Sequence, residues 1–193
     1  MTSTGTTSHA ILPPTPGQTI GPFYGYALPW PDGDHLVPPG RSDAIHLHGT
    51  VYDGAGNPVP DALIEIWQAD ENGEVPRAAG SLPRDGWTFT GFGRAAVDAE
   101  GRYSFTTVRP GPTEDGAAAF FAVTVFARGL LNRLFTRAYL PDDASALASD
   151  ALLQSVPEER RDTLVATADA QGYGFDIRLQ GDGETVFLAY PGA

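Results

Sequence analysis

His46 and His48 are the residues whose types and spacing first suggest chemistry, because they stand two apart in a strand-like segment. Side chains at positions i and i+2 of a strand share one face, so this pair and a carboxylate could hold a metal ion. The spacing is common by chance, however, and the sequence identifies no third ligand. We therefore favour a structural role for both histidines, and a metalloenzyme built on them is the last of three functional hypotheses.

The composition excludes several other kinds of chemistry and partner. The 193-residue chain has no cysteine, which rules out disulfides, thiolate catalysis and cysteine metal sites. Twelve Lys and Arg against 24 Asp and Glu give a formal charge of −12, which repels phosphate backbones and anionic lipids. No secretory signal opens the sequence, and no apolar run approaches the ~20 residues of a membrane span. We expect a cytoplasmic protein that binds neither nucleic acid nor membranes.

Runs of β-branched and aromatic residues separated by turn signals predict an all-β fold, an antiparallel β-sandwich. The predicted strands are residues 45–52, 62–68, 102–108, 119–127, 134–140, 174–179 and 185–190. The first two are separated by DGAGNPVP, a cluster of turn-forming residues, and we expect them to form a β-hairpin.

The rest of the chain predicts an irregular arm and one or two short helices. Residues 1–42 are rich in Pro and Gly, and prolines lack the N–H that a ladder needs, so we expect an N-terminal arm lying extended on a surface. Residues 43–193 then form a single sandwich domain. Ser155 before Pro157 predicts a capped helix, and a shorter helical turn is expected at 143–148.

Five stretches carry a resemblance to a known family. They are TPGQTIGPFY (15–24), HGTVYDGAGNPVPDALIEIWQADENG (48–73), GFGRAAVDAEGRYSFTTVRPG (91–111), LFTRAYL (134–140) and YGFDIRLQGDGETVF (173–187). Through them the chain resembles the intradiol ring-cleavage dioxygenases, specifically the protocatechuate 3,4-dioxygenase family. The resemblance spans about Thr15 to Tyr190 and implies the same sandwich fold.

Catalytic chains of that family hold a ferric ion with two tyrosines and two histidines, the latter as His-x-His in a strand after a PGPY turn. The corresponding positions here are Thr113, the vicinity of Ser81, Ala122 and Thr124. A one-residue slip of the alignment would replace the last two with Val123 and Val125. Neither alignment supplies a ligand, so we expect no metal site and no catalytic residue in this chain.

The resemblance is therefore to the family's iron-free alpha subunits, whose Fe(III) is bound by a beta subunit of the same fold. It implies that the alpha chain lines the mouth of its partner's active site. The substrate-binding residues would be Thr19, Gly21, Pro22 and Arg128. Protocatechuate carries a ring carboxylate, and a guanidinium is the side chain best shaped to hold one.

Two further functional hypotheses follow from these residues. The family resemblance implies a subunit of the enzyme that cleaves protocatechuate with O2 to 3-carboxy-cis,cis-muconate. The alternative is a transthyretin-like binding or scaffold sandwich without a role in catalysis, which the generic strand pattern and the missing ligands would also fit.

Overall fold

The computed structural model describes residues 21, 24–77, 85 and 88–190. In chain order their elements are α1 (Tyr24–Ala27), β1 (Ala44–Tyr52), β2 (Leu63–Trp67), β3 (Phe92–Ala96), β4 (Arg102–Val108), β5 (Phe120–Phe126), β6 (Leu134–Tyr139), α2 (Ala144–Ser149), α3 (Ala151–Ser155), a 3₁₀ helix (Glu158–Leu164), β7 (Thr167–Ala168), β8 (Tyr173–Gly174) and β9 (Ile177–Arg178). None of the helices among them is long and apolar enough to cross a membrane.

The strands form two sheets, which we call the first and second sheets. In the first, β1 pairs antiparallel with β4 on one side and parallel with β8 and β9 on the other, and β7 lies beyond β8. The second has the order β3-β2-β5-β6 and is antiparallel throughout. The predicted all-β sandwich is confirmed, with the parallel pairs of β8 and β9 as an exception to its antiparallel pattern.

Alternation along the strands separates an inner from an outer face in the second sheet. Ile64 and Ile66 of β2 are fully buried in the core between the sheets, as is Val125 of β5. Glu65 and Trp67 project from the opposite, outer face, where Trp67 is 44% exposed. The outer face of this sheet is therefore exposed at Trp67 but covered elsewhere, since Leu63 on the same face is fully buried.

The prediction of a hairpin between β1 and β2 is wrong, because these two strands belong to different sheets. The turn after β1 closes on that strand itself, with Asp53 N–H donating to Asn57 O and Val59 N–H to Val51 O. Prolines at 58 and 60 supply no N–H, so the ladder cannot continue. The chain instead crosses to the second sheet.

Three further expectations need correction. Residues 185–190 form no strand, and their backbone pairs with β6 at one bridge, where the Leu188 N–H donates to Phe135 O. Ser155 caps no helix; its hydroxyl donates to Leu152 O, and the segment after Pro157 is 3₁₀. β3 went unpredicted because FGRAA contains no β-branched residue. The predicted turn at 143–148 is confirmed as α2, capped by the Asp143 carboxylate.

The described part of the N-terminal arm lies against both sheets. Leu36 N–H donates to Thr106 O of β4, and Arg94 N–H of β3 donates to Gly33 O. The arm contains one helical turn, α1, which the proline-rich composition did not indicate. Its described residues follow a helical turn, several reverse turns and a bridge at His35 rather than an extended course, and the domain boundary at residue 42 stays a prediction.

Candidate functional site

Arg128 lies at the turn that follows β5, on an exposed corner of the second sheet. β5 ends at Phe126, and Gly129 adopts φ +95°, a left-handed conformation that glycine reaches without strain. The Arg128 side chain is 64% exposed, and its Nε lies 3.0 Å from Asp61 Oδ2. The sequence thus places a guanidinium at a surface corner, held by a carboxylate just ahead of β2.

Tyr24 of α1 fastens the arm to this corner. Its hydroxyl donates to Asp61 O at 2.5 Å and accepts from the Arg128 backbone N–H, while its ring lies 6.3 Å from that of Phe126. Burial, and then the Asp61 charge, raise the pKa of Tyr24 to about 12, so the phenol remains a donor at neutral pH. Tyr24, Asp61 and Arg128 therefore form one connected group, which we call the arm anchor.

One of the other predicted substrate-binding residues lies near the arm anchor in sequence. Gly21 stands three residues before Tyr24 and is exposed, so its Cα lies within roughly 11 Å of the Tyr24 Cα by chain reach alone. Thr19 and Pro22 lie outside the described residues. The contribution of all four residues to substrate binding stays a prediction.

The positions that the resemblance assigns to iron ligands do not fit a ferric ion. Ala122 and Thr124 project from the outer face of the second sheet, and Thr113 is exposed in a turn. The alternative alignment is worse, since Val123 and Val125 face the core. A methyl, hydroxyl or isopropyl group offers no strong ligand to trivalent iron. The position near Ser81 lies outside the described residues.

A charged pair occupies part of that outer face. Arg94 and Glu65 lie opposite each other on β3 and β2, and Thr124 is the β5 partner of Glu65. Arg94 Nε and Nη2 donate to Glu65 Oε1 at 2.7 and 2.5 Å, and each side chain is only 14% exposed. Arg94 neutralises Glu65, the carboxylate opposite Thr124, so the arrangement is a paired surface rather than a ligand set.

His46 and His48 share one face of β1, as predicted, but they contact different groups. His46 Nδ1 lies 3.4 Å from Thr106 Oγ1, whereas His48 Nε2 lies 3.2 Å from Asp169 Oδ2. Within the described ranges, no three histidine or carboxylate side chains gather closely enough to hold a metal ion. The pair is thus explained by its contacts within the first sheet.

Sequence reasoning proposed Arg128 but neither of its two companions. In the sequence, Tyr24 is only the last residue of the family-like stretch 15–24, and Asp61 is one residue within the stretch 48–73. The missing signal is geometric, because Tyr24 bonds to a main-chain carbonyl, a group that every residue at position 61 would supply. The Tyr24 hydroxyl and its burial can be found only once the fold is known.

Comparisons with known proteins agree with this geometry. The family model Dioxygenase_C, whose description is "Dioxygenase", matches residues 28–122. The protocatechuate 3,4-dioxygenase alpha chain of Burkholderia cepacia is 40% identical over 92% of this chain and 98% of its own length. The beta chain from the same organism is 36% identical over 72% of this chain and 65% of its own length.

A solved structure supports the same assignment. The dioxygenase domain of a dioxygenase carbohydrate-binding protein fusion from Streptomyces sp. SirexAA-E is 25% identical, with a TM-score of 0.56 over 88% of this chain and 99% of that domain. Nothing in the comparisons supports a transthyretin-like scaffold. From its similarity to alpha chains over nearly its whole length, the chain belongs to the protocatechuate 3,4-dioxygenase alpha-chain family of intradiol dioxygenases.

Proposed function

We propose that this chain is the iron-free alpha subunit of a protocatechuate 3,4-dioxygenase and that it completes the active site of an iron-bearing beta subunit. The observation that carries the proposal is the similarity to alpha chains across 92% of the sequence. Intradiol dioxygenases use non-haem iron, but the β5 residues at the ligand positions, Ala122 and Thr124 or Val123 and Val125, offer no ligand for it. Iron bound by the partner would account for both the family's use of iron and the missing ligands.

The proposed reaction adds both atoms of O2 to protocatechuate and cleaves the ring between its hydroxyl-bearing carbons, giving 3-carboxy-cis,cis-muconate. This chain would contribute binding rather than chemistry. Arg128 would hold the ring carboxylate at the mouth of the partner's site, and residues 19–22 of the arm would close over it. The arm anchor supports this role because it fixes the start of α1 beside the Arg128 guanidinium.

Metal analysis of the chain with and without its partner tests the proposal. The isolated chain should contain no stoichiometric iron and show no visible tyrosinate-to-iron absorption. Co-expression with its beta partner should yield a hetero-oligomer that has both, and that consumes O2 with protocatechuate. Stoichiometric iron in the isolated, folded chain would contradict the proposal, as would full activity of the beta chain alone.

A cytoplasmic location is part of the same proposal. It is supported by the complete absence of cysteine, which suits a chain in a reducing compartment and offers nothing to oxidise. Fractionation of the native host with antibodies against this chain tests it, and recovery in a membrane or extracellular fraction would oppose it.

A further inference from the structure

A small residue lies between two large side chains on the outer face of the second sheet. Trp67 of β2, Ala122 of β5 and Arg137 of β6 are direct cross-strand neighbours in one row. Neighbouring strands lie ~4.8 Å apart, so the Cα atoms of Trp67 and Arg137 are roughly 10 Å from each other across the alanine. A flat ring needs about 7–8 Å between two contacting surfaces, twice the usual carbon–carbon contact distance.

Both large side chains pack on aromatic rings. The Trp67 ring packs on Phe92 of β3, with centroids 4.5 Å apart. The Arg137 guanidinium stacks on Phe120, its central carbon 3.9 Å from the ring centroid. Ala122 consequently remains partly exposed although it lies mid-strand in a central strand of the sheet. We call the space above it the Ala122 recess.

Arg137 is oriented in this recess without being neutralised. Its Nη1 donates to the Tyr139 hydroxyl at 3.1 Å, and that hydroxyl donates in turn to the buried Asp150 carboxylate at 2.9 Å. Within the described part of the chain, Arg137 forms no ion pair, because no carboxylate oxygen lies within 4.0 Å of its guanidinium nitrogens. A guanidinium fixed by a phenol and a ring retains N–H donors for an anion.

The walls of the recess suit the two ends of one kind of ligand. Trp67 is 44% exposed and offers an indole surface to an aromatic ring. Arg137, on the opposite side, offers charge-assisted hydrogen bonds to a carboxylate. The neighbouring Glu65 is paired with Arg94, so its charge is compensated and repels an incoming anion less.

We propose that the Ala122 recess is a binding site for an aromatic carboxylate, which binds there without being transformed. The ring would stand over Ala122 against Trp67, and the carboxylate would bind Arg137. The site is separate from the Arg128 corner and requires only the side chains of this subunit, but its test rests on the proposed function because it uses the assembled enzyme.

Calorimetric titration of the assembled alpha-beta enzyme with benzoate, an aromatic carboxylate that lacks the catechol hydroxyls, tests the proposal. Two variants remove the recess differently: Arg137→Gln removes the charge, and Ala122→Leu fills the space while leaving the arginine in place. Relative to the wild-type enzyme, each should weaken one benzoate site per alpha chain by about 10- to 100-fold, the range of one charge-assisted contact. Circular dichroism and retained turnover confirm that each variant is folded.

Matched controls separate this site from general charge effects. Arg133→Gln removes a guanidinium that stacks on Phe135 at the other end of β6, and it should leave the benzoate isotherm unchanged. Benzamide, which has the ring without the charge, and acetate, which has the charge without the ring, should both bind at least tenfold more weakly than benzoate. The proposal is overturned if the folded Ala122→Leu and Arg137→Gln enzymes both bind benzoate as the wild type does.

Discussion

The Arg128 side chain is exposed, and breaking its ion pair with Asp61 costs little free energy. An ion pair as exposed as the one with Asp61 contributes ~1 kcal/mol or less, because water screens both charges. A carboxylate held in a site that excludes water would bind the same guanidinium more strongly. The arm anchor therefore positions Arg128 without committing it to Asp61.

Replacing Arg128 with alanine tests its role in the assembled enzyme. The loss of a charged hydrogen bond, about 1.5–3 kcal/mol, should raise the apparent KM for protocatechuate by roughly 10- to 100-fold. Steady-state O2 consumption measures the change. Arg133→Ala, which removes a nearby arginine that stacks on Phe135, is the matched control and should change KM little. An unaltered KM in Arg128→Ala would remove this residue from the site.

At the scale of single residues, sequence reasoning can propose candidates from residue type, but it cannot give the contacts that depend on position in the fold. A guanidinium for a ring carboxylate could be expected from chemistry and family resemblance. The fact that Asp61 pairs with Arg128 depends on β2 and β5 lying side by side, a pairing of strands far apart in sequence. Nothing in the local sequence of either strand specifies that neighbour.

Elements of the first sheet depend on a close approach at Gly49. A Cβ added there would lie 2.0 Å from Phe175 O, and Tyr103, which donates to that same oxygen, would be 3.1 Å away. Burial, and then the charge of Asp176, raise the pKa of Tyr103, so its hydroxyl remains a donor. The glycine thus lets β1 lie directly beside the segment that contains β8 and β9.

Gly49→Ala should accordingly destabilise the fold. The methyl group would push Phe175 from β1 and strain their pairing, at a cost of about 1–3 kcal/mol or more in the free energy of unfolding. Urea denaturation followed by circular dichroism measures it. Gly25→Ala is the control: it lies in α1, where among the described residues no atom beyond its own helix and chain neighbours lies within 4 Å of the added Cβ, so the change should be neutral or slightly stabilising. Equal stability of the two variants would refute this account.

Elements were predicted well where a strand carries its own pattern and poorly where neighbours decide. β4 was predicted to the residue because alternating large side chains mark Arg102–Val108. The hairpin prediction was wrong because DGAGNPVP was interpreted only as a turn. Its two prolines lack the N–H groups that a ladder needs, and they end the pairing after β1. The parallel pairing of β8 and β9 with β1 has no signature in segments of two residues each.

The molecule as a whole carries a formal charge of −12, and several of its aspartates accept hydrogen bonds within turns. Hydrogen bonds from backbone N–H groups, chiefly the Asn57 N–H, lower the pKa of Asp53. A hydrogen bond from the Arg102 backbone N–H likewise lowers the pKa of Asp98. The Ser145 side chain lowers the pKa of Asp143, and the Gln171 N–H that of Asp169. The hydrogen bond from Arg41 lowers the pKa of Asp43 to about 2.

These shifts predict loss of stability in acid. A carboxyl group whose pKa is lower in the folded chain stabilises it fully above the unfolded value near 4, and this contribution is lost as pH falls through the folded value. The urea midpoint should therefore decrease steadily from pH 4 to pH 2. Asp53→Asn keeps a side-chain oxygen acceptor but cannot titrate there, so its midpoint should depend less on pH. Identical pH profiles for this variant and the wild type would exclude Asp53 as a contributor.

The pairing of β1 with the far end of the chain has a consequence for biosynthesis. Thr50 and Asp176, joined by a hydrogen bond, are 126 residues apart in sequence. While the ribosome is still adding the intervening residues, the edge of β1 that later pairs with β8 and β9 has no partner strand. Its backbone amide and carbonyl groups then stay available to other nascent polypeptides. Cells producing this subunit should depend on chaperone capacity during translation, before any association with a second gene product begins.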